Sequence, residues 1–215
     1  MKIFLDTAET DVIRKNFVTG LVDGLTTNPT LIMKSGRNPE EVYEEIKEIG
    51  VPDISMEVVG TGEEMVAEGR RLHEKFGDCC TIKVPCTRGG LAACRVLAEE
   101  GIRVNVTLIF SQAQAILASK AGAAYVSPFV GRVDDNSFGG ICLVKDIVSV
   151  FKEHFVTTQV LAASVRNVRD VGRLFEHGSD IVTMPPGVFD KMYNHILTDK
   201  GLELFEQDWS EVQGR

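Results

Sequence analysis

The chain has 215 residues, of which 44% are hydrophobic and 25% are charged, and its formal net charge is −8. This composition is typical of a soluble globular protein, and the length fits one domain spanning residues 1–215. Binding to nucleic acid or to an anionic membrane surface requires clustered Lys and Arg, so we expect neither partner for this acidic chain. Small molecules are the favoured class of ligand.

Targeting segments and metal motifs are also not expected. No run of eighteen apolar residues occurs, and Asp6 interrupts the N-terminal apolar stretch too early for a signal peptide, which predicts a cytoplasmic protein. The odd number of cysteines lacks C-x-x-C spacing, so neither a disulfide framework nor a zinc site is indicated. The four histidines are far apart in sequence, and we predict no metal site.

Short apolar runs recur along the chain, and each is followed by a segment with helical spacing of apolar residues, which is the pattern of βα units. The predicted strands are Lys2–Leu5, Val22–Leu25, Ile54–Val58, Cys79–Val84, Arg103–Val106, Ala123–Val126, Thr157–Leu161 and Asp180–Thr183. Eight strands without a long polar linker favour an α/β fold that closes into one (β/α)8 TIM barrel. An open doubly wound sheet is the alternative.

A helical tail is predicted at about residues 195–215, beyond the eighth strand and the Pro185-Pro186 pair. This tail is additional to the helices that form the outer ring of a barrel, and it contains the only tryptophan, Trp209. The tail could cover a barrel end, pack on its own chain or contact a neighbouring subunit, and the sequence leaves these alternatives open.

Lys83 interrupts an apolar strand, Cys79–Val84, that should be buried on both faces in a parallel barrel. Burial disfavours an ammonium ion, and a neutral lysine amine can condense with a ketone to form an imine. The alternative is a structural lysine that extends to solvent or pairs with an acid.

Polar residues stand at or near the carboxyl ends of the other predicted strands, where a TIM barrel assembles its active site. These residues are Asp6, Asn28, Glu57, Asn105, Thr107, Ser127 and Ser164. Glu57 is notable because a carboxylate inside an apolar strand needs a partner or an altered pKa.

Each of the other candidates has a structural alternative. Asp6 and Glu9 have the spacing of a helix capping box, and Asn28 before Pro29 is typical of a helix start. Ser164 resembles an N-cap, although a helix N-terminus with a free hydroxyl is also a phosphate site. Arg132 and Arg166 could each form a surface ion pair, for example with Asp134 or Asp135.

Four segments together resemble the transaldolase family, in its small single-barrel branch that also contains fructose-6-phosphate aldolases. The segments are Gly24-Leu25-Thr26-Thr27-Asn28-Pro29-Thr30-Leu31-Ile32, Ile82-Lys83-Val84-Pro85-Cys86-Thr87 with Gly89-Gly90-Leu91, Val104-Asn105-Val106-Thr107-Leu108 and Ser127-Pro128-Phe129-Val130-Gly131-Arg132. The resemblance spans nearly the whole chain. Cys86, beside the lysine segment, is the departure from the family pattern.

The resemblance implies transfer of a dihydroxyacetone unit from a ketose phosphate to an aldose phosphate through an imine on Lys83. It implies that Asp6 is the acid/base and that Glu57 and Thr107 hold a proton-relaying water. Asn28, Asn105 and Ser127 would bind the donor hydroxyls, and Arg132, Ser164 and Arg166 the phosphate. A protonated imine is itself an electron sink, so no metal or organic cofactor is expected.

The resemblance also bears on reaction type and assembly. Aldolases of the family tend to carry Gln and Tyr where this chain has Glu57 and Phe129, which favours transfer over release of the unit. A plain fructose-6-phosphate aldolase and a non-catalytic sugar-phosphate-binding barrel are the alternatives. Family members of this size are commonly pentamers or decamers, so a homo-oligomer is expected.

Overall fold

A computed structural model describes residues 1–214 and contains a closed barrel of eight parallel strands, which are hydrogen-bonded in sequence order. The strands are β1 (Lys2–Asp6), β2 (Gly24–Thr26), β3 (Ile54–Glu57), β4 (Cys80–Pro85), β5 (Val104–Ile109), β6 (Tyr125–Pro128), β7 (Gln159–Ala162) and β8 (Ile181–Met184). β1 pairs with both β2 and β8 and thereby closes the barrel. The predicted TIM barrel is confirmed, and the open-sheet alternative is wrong.

Helices follow the strands and surround the barrel. They are α1 (Thr10–Phe17), α2 (Pro29–Ser35), α3 (Pro39–Ile49), α4 (Gly62–Phe76), α5 (Arg88–Glu99), α6 (Gln112–Lys120), α7 (Val130–Asp135), α8 (Gly140–Glu153), α9 (Val168–Glu176), α10 (Pro186–Lys191) and α11 (Ile196–Gln213). Local chemistry fixes several starts: in α4, Thr61 and Glu64 form a reciprocal capping box. No helix in this described part of the chain has the length and apolarity needed to cross a membrane.

The predicted strands match the observed ones in number and order but differ at their ends. All except the third were predicted to stop too early, most clearly β5, which continues from Val106 to Ile109. The polar residues Asn105 and Thr107 lie within this strand, and Thr107 is paired with Pro85 of β4. The polar ends are part of the sheet because their backbones stay paired with β4, and the alternation of side chains along the strand points Asn105 and Thr107 into the barrel.

Two apolar cores stabilise the fold. The larger one fills the space between strands and helices and includes outward residues of the strands such as Ile82 and Val84. A small cluster of Phe4, Tyr125, Leu161, Ala163 and Ile181 packs separately. The alternation of side chains along each strand places this cluster inside the barrel, below the polar carboxyl ends.

Gly24 of β2 makes room for the interior cluster. A Cβ atom at this position would lie 2.6 Å from the ring of Phe4 and 2.7 Å from the carbonyl oxygen of Asp53. Only glycine therefore allows the Phe4 ring to lie against β2.

Helix α11 is the C-terminal helical extension predicted from the sequence. It spans Ile196–Gln213, and none of its residues is buried. The last residue of the predicted tail, residue 215, lies outside the described part of the chain. Leu202, Phe205, Trp209 and Val212 recur at intervals of three and four residues and form one apolar stripe, which is exposed.

Candidate active site

Lys83 lies inside the barrel and is 5% exposed. Its Nζ donates a hydrogen bond of 2.9 Å to the carbonyl oxygen of Thr27 and lies 2.9 Å from Oε2 of Glu57. The ion pair follows from sheet register, because Lys83 of β4 is paired with Glu57 of β3. The lysine therefore does not extend to solvent, and its acidic partner is within the site rather than on the surface.

Lys83 contributes to the wall of a cavity of about 120 Å³ at the carboxyl ends of the strands. The cavity is lined by Asp6, Thr26, Asn28, Lys83, Thr107, Ser127, Phe129, Arg132, Ala163, Ser164 and Thr183. A wider mouth of about 390 Å³ shares Asn28, Lys83, Thr107, Phe129 and Arg132 with this cavity and adds Glu57. Ten of the eleven residues predicted from the sequence thus lie in or beside one concave site, and Arg166 is the exception.

Asp6 ends β1 and accepts a hydrogen bond of 2.7 Å from Oγ1 of Thr26. Burial raises the pKa of Asp6 above its ordinary value, and the negative charge of Glu57 acts in the same direction. The Thr26 hydrogen bond and the charge of Lys83 oppose this effect on the pKa. A carboxyl group with a raised pKa is suited to accept and return a proton during catalysis.

The capping role considered for Asp6 is wrong. Helix α1 begins after Glu9, which makes no side-chain capping hydrogen bond, and Asp6 is engaged with Thr26 instead. Asn28 does cap α2, because its side chain accepts a hydrogen bond from the Leu31 backbone N–H. Its remaining amide hydrogens are still available to the cavity.

Thr107 supplies an unusual feature of the site. Its Oγ1 is buried and makes no hydrogen bond with any described residue. A buried hydroxyl rarely lacks a partner, because an unsatisfied polar group costs free energy. The hydroxyl faces the cavity that Lys83 also lines, so it is available to a water molecule or a substrate atom there.

Asn105 is fully buried and lies beside Lys83 in the register of β4 and β5. Its side-chain oxygen accepts a hydrogen bond of 2.7 Å from Ser127 Oγ, and its amide nitrogen donates one of 3.2 Å to Ser55 Oγ. Because the single proton of Ser127 is committed to Asn105, the Ser127 hydroxyl presents acceptor lone pairs to the cavity.

Phe129 and Arg132 form the outer wall of the site. The guanidinium carbon of Arg132 lies 4.9 Å from the centroid of the Phe129 ring, which is a cation–π contact. Phe110 also contacts Phe129, in an edge-on arrangement with centroids 5.8 Å apart. No described ion pair includes Arg132, so the surface pairing considered for it is not observed.

Ser164 lines the cavity but is not an N-cap, because α9 begins later and is capped by Asn167. Its φ of 58° lies in the left-handed region, which is uncommon for serine. Arg166 does not line the cavity. Its guanidinium makes a two-pronged ion pair with Asp135, the surface partner considered from the sequence.

Sequence reasoning missed two threonines of the site. Thr26 and Thr183 both line the cavity, and their Oγ1 atoms are 2.7 Å apart. Thr183 ends the eighth predicted strand, and this position was the one strand end to which no polar candidate was assigned. Because closure of a barrel places the last strand beside the first, the sequence could have indicated that Thr183 lies close to β1, the strand that ends at Asp6.

Cys86 is partly buried outside the cavity lining, and burial raises the pKa of its thiol. Within residues 1–214, no cluster of three or more His, Cys, Asp or Glu side chains could hold a metal ion.

The chain is similar to one protein family over nearly its whole length. The family model described as "Transaldolase/Fructose-6-phosphate aldolase" matches residues 3–215. Proteins named "Probable transaldolase" from Caulobacter vibrioides and Nitrosopumilus maritimus are each 51% identical to it, covering 99% of this chain and 98% and 96% of their own lengths. A protein of the same name from Caulobacter sp. is 52% identical over 98% of this chain and 97% of its own. The chain therefore belongs to the transaldolase/fructose-6-phosphate aldolase family of enzymes.

Proposed function

We propose that the protein is a transaldolase, which moves a dihydroxyacetone unit from a ketose phosphate to an aldose phosphate in the non-oxidative pentose phosphate pathway. The donor would be sedoheptulose 7-phosphate or fructose 6-phosphate, and the acceptor glyceraldehyde 3-phosphate or erythrose 4-phosphate. The observation that carries the proposal is a buried lysine, Lys83, in one cavity with the Asp6 carboxyl and with the Thr107 hydroxyl, which has no hydrogen-bond partner among residues 1–214.

Imine formation begins with removal of a proton from the Lys83 ammonium. Glu57 is the nearest base, at 2.9 Å, and can accept this proton directly. The amine then adds to the C2 carbonyl of the ketose, and the resulting carbinolamine loses water to give a protonated imine. The Thr107 hydroxyl and Glu57 hold the water that carries protons to and from the departing oxygen.

Asp6 acts in the next step by removing the proton from the C4 hydroxyl of the bound donor. The C3–C4 bond breaks, its electron pair moves into the protonated imine, and an aldehyde product leaves an enamine on Lys83. The acceptor aldehyde reverses these steps and takes the proton back from Asp6. The raised pKa of Asp6 supports this dual role.

The remaining polar side chains have complementary binding roles. Asn28, Asn105 and Ser127 hydrogen-bond the hydroxyls of the three-carbon unit, and Ser127 does so as an acceptor because its proton points to Asn105. Arg132, held against Phe129, binds the phosphate with Ser164. Arg166 joins them when it exchanges its Asp135 partner for the phosphate.

Transfer is favoured over release because the side of the cavity near the imine is apolar at Phe129. An aromatic ring without a hydroxyl protects the enamine from protonation until the acceptor arrives. A plain aldolase would instead release free dihydroxyacetone. Product analysis with fructose 6-phosphate, in the presence and absence of erythrose 4-phosphate, separates these activities, and release that greatly exceeds transfer would favour the aldolase.

Borohydride trapping tests the covalent chemistry itself. Incubation with fructose 6-phosphate and borohydride should reduce the imine, and mass spectrometry should place the adduct on Lys83. Lys83→Met should give no adduct, while Lys145→Met, at an exposed position on α8, should label like the parent protein. No adduct on the parent protein at saturating substrate would favour a non-catalytic sugar-phosphate-binding barrel.

The exposed stripe of α11 supports a further part of the proposal, that residues 1–215 form one barrel domain whose helical tail, at about residues 195–215, joins it to other subunits in a pentamer or decamer. Leu202 and Phe205 are 55% and 71% exposed, and large apolar side chains in one stripe are typical of protein contacts. Sedimentation velocity should detect an oligomer for the full chain and smaller species for a chain ending at His195. A monomeric full chain would contradict this assembly.

Cytoplasmic location is proposed as well. All five cysteines are free, as expected for a protein kept in a reducing compartment. Cell fractionation with an antibody to the native protein would test this location.

A further inference from the structure

We propose that Thr183 is a positioning residue that acts through Thr26 to hold the Asp6 carboxyl in its reactive orientation and protonation state. This inference rests on the proposed role of Asp6 as the acid/base. It assigns a function to the end of β8, the strand that closes the barrel against β1.

The three side chains form a continuous chain across the closure of the barrel. Thr26 is on β2 and Thr183 is on β8, and β1, which carries Asp6, runs between them. Thr26 Oγ1 lies 2.7 Å from Asp6 Oδ1 and 2.7 Å from Thr183 Oγ1. Both threonines are almost fully buried, at 3% and 2% exposure, so solvent competes little for these bonds.

The number of hydroxyl protons fixes the direction of the chain. An ionised Asp6 has acceptors only, so Thr26 must donate its single proton to Asp6. The 2.7 Å contact between the two threonines then requires Thr183 to donate its own proton to Thr26. The order of donation is therefore Thr183 to Thr26 to Asp6.

This order has a consequence for the strength of the bond at Asp6. A hydroxyl that accepts a hydrogen bond becomes a better donor, so Thr183 strengthens donation from Thr26 to the carboxylate. When Asp6 becomes protonated, both hydroxyls can rotate and the chain can run in the opposite direction.

The charged groups that face Asp6 are separate from the hydroxyl chain. Lys83 of β4 and Glu57 of β3 both influence its pKa, and Arg132 of α7 lines the same cavity. None of these groups forms a described hydrogen bond with Thr183. Substitution of Thr183 therefore changes the hydroxyl chain while leaving the surrounding charges in place.

The test compares Thr183→Val, which keeps the branched shape without the hydroxyl, with Thr183→Ser, which keeps the hydroxyl. Thr183→Val should lower kcat for transfer by roughly three- to ten-fold, the equivalent of one lost hydrogen bond. It should also move the acid limb of the kcat/KM profile to higher pH, because the ionised Asp6 loses stabilisation. Thr183→Ser should restore the parent profile.

A double substitution tests whether Thr183 acts through Thr26. Thr26→Val removes the donor to Asp6, so adding Thr183→Val to it should cause no further loss of kcat. Additive losses would overturn the proposal. If Thr183→Val does not fold, Thr183→Ala removes the same hydroxyl, and folding of each variant is checked by thermal unfolding.

Borohydride trapping separates this proposal from the proposed function. Thr183→Val should form the Lys83 adduct to the same extent as the parent protein, because the chain acts on Asp6 and not on the lysine. Absence of the adduct in the parent protein would refute the proposed function. Adduct formation with superimposable pH profiles for the parent and Thr183→Val would refute only the role of Thr183.

Discussion

The Nζ atom of Lys83 lies 2.9 Å from Oε2 of Glu57, its register partner on the adjacent strand. The two side chains are only 6% and 15% exposed. A buried ion pair is an inefficient source of stability, because desolvation offsets much of the attraction between the charges. Its position in the candidate active site is more readily explained by proton transfer than by a contribution to folding.

Glu57→Gln should slow imine formation, because glutamine can accept a hydrogen bond from Lys83 but cannot remove its proton. We expect a loss of roughly 10²-fold in the initial rate of borohydride-trapped adduct. Glu99→Gln, which alters an exposed ion pair on α5, is the matched control. Equal trapping rates for Glu57→Gln and the parent protein would remove Glu57 from the mechanism.

Asp6→Asn should lower kcat by about 10²–10⁴-fold while still allowing the Lys83 adduct to form. Steady-state kinetics and trapping of the same preparation measure the two effects. An unchanged kcat would contradict the assigned role.

The pH dependence of stability provides a second measurement on Asp6. Because its folded-state pKa is raised above 3.8, the folded protein binds the Asp6 proton more tightly than the unfolded chain does. The contribution of this group to stability is therefore lost as the pH rises from the unfolded pKa through the folded pKa. Urea unfolding at acidic and neutral pH should show that Asp6→Asn increases the unfolding free energy more at neutral pH.

Asp135→Asn should free Arg166 for phosphate binding. The Asp135 and Arg166 side chains are about half exposed, so solvent screens their attraction and the pair is weak. We expect KM for fructose 6-phosphate to fall by roughly two- to five-fold at most, with no change for dihydroxyacetone as donor. Asp146→Asn, on the exposed face of α8, is the control, and an equal effect on both donors would argue against phosphate recognition by Arg166.

Phe129→Tyr should increase release of free dihydroxyacetone relative to transfer, because the added hydroxyl brings a proton donor to the enamine. Its contacts with Phe110 and Arg132 involve the ring and should persist. The ratio of released to transferred product, measured with and without acceptor, tests this expectation. A ratio equal to that of the parent protein would show that Phe129 does not protect the enamine.

Gly24→Ala should destabilise the barrel, because the added methyl group would overlap the Phe4 ring and the Asp53 carbonyl. We expect a loss of about 1–3 kcal/mol in the free energy of unfolding, measured in urea. Gly172→Ala offers a contrasting control in α9, where no atom lies within 4 Å of the added Cβ. There the helix propensity of alanine should increase stability by about 0.5–1 kcal/mol.

The barrel could be predicted from sequence because eight apolar runs and their intervening helical stripes are local patterns. Convergence of the strand-end residues could also be predicted, since parallel strands carry their carboxyl ends to one rim. The partners could not be predicted. The pairing of Lys83 with Glu57 depends on register, and the contact of Thr26 with Thr183 depends on closure of the barrel. For Arg166 the sequence left two acidic partners open, and the choice of Asp135 over Asp134 depends on where α7 ends.

The same distinction between local and assembled structure applies to the folding of helix α11. Because none of its residues is buried, it gains little packing energy from its own barrel, and an isolated helix of this length is only marginally stable in water. The proposed association with another subunit would then be the source of its order, and it would link the helicity of α11 to protein concentration by mass action. Amide hydrogen exchange in α11 should accelerate on dilution, while exchange in the barrel strands stays constant.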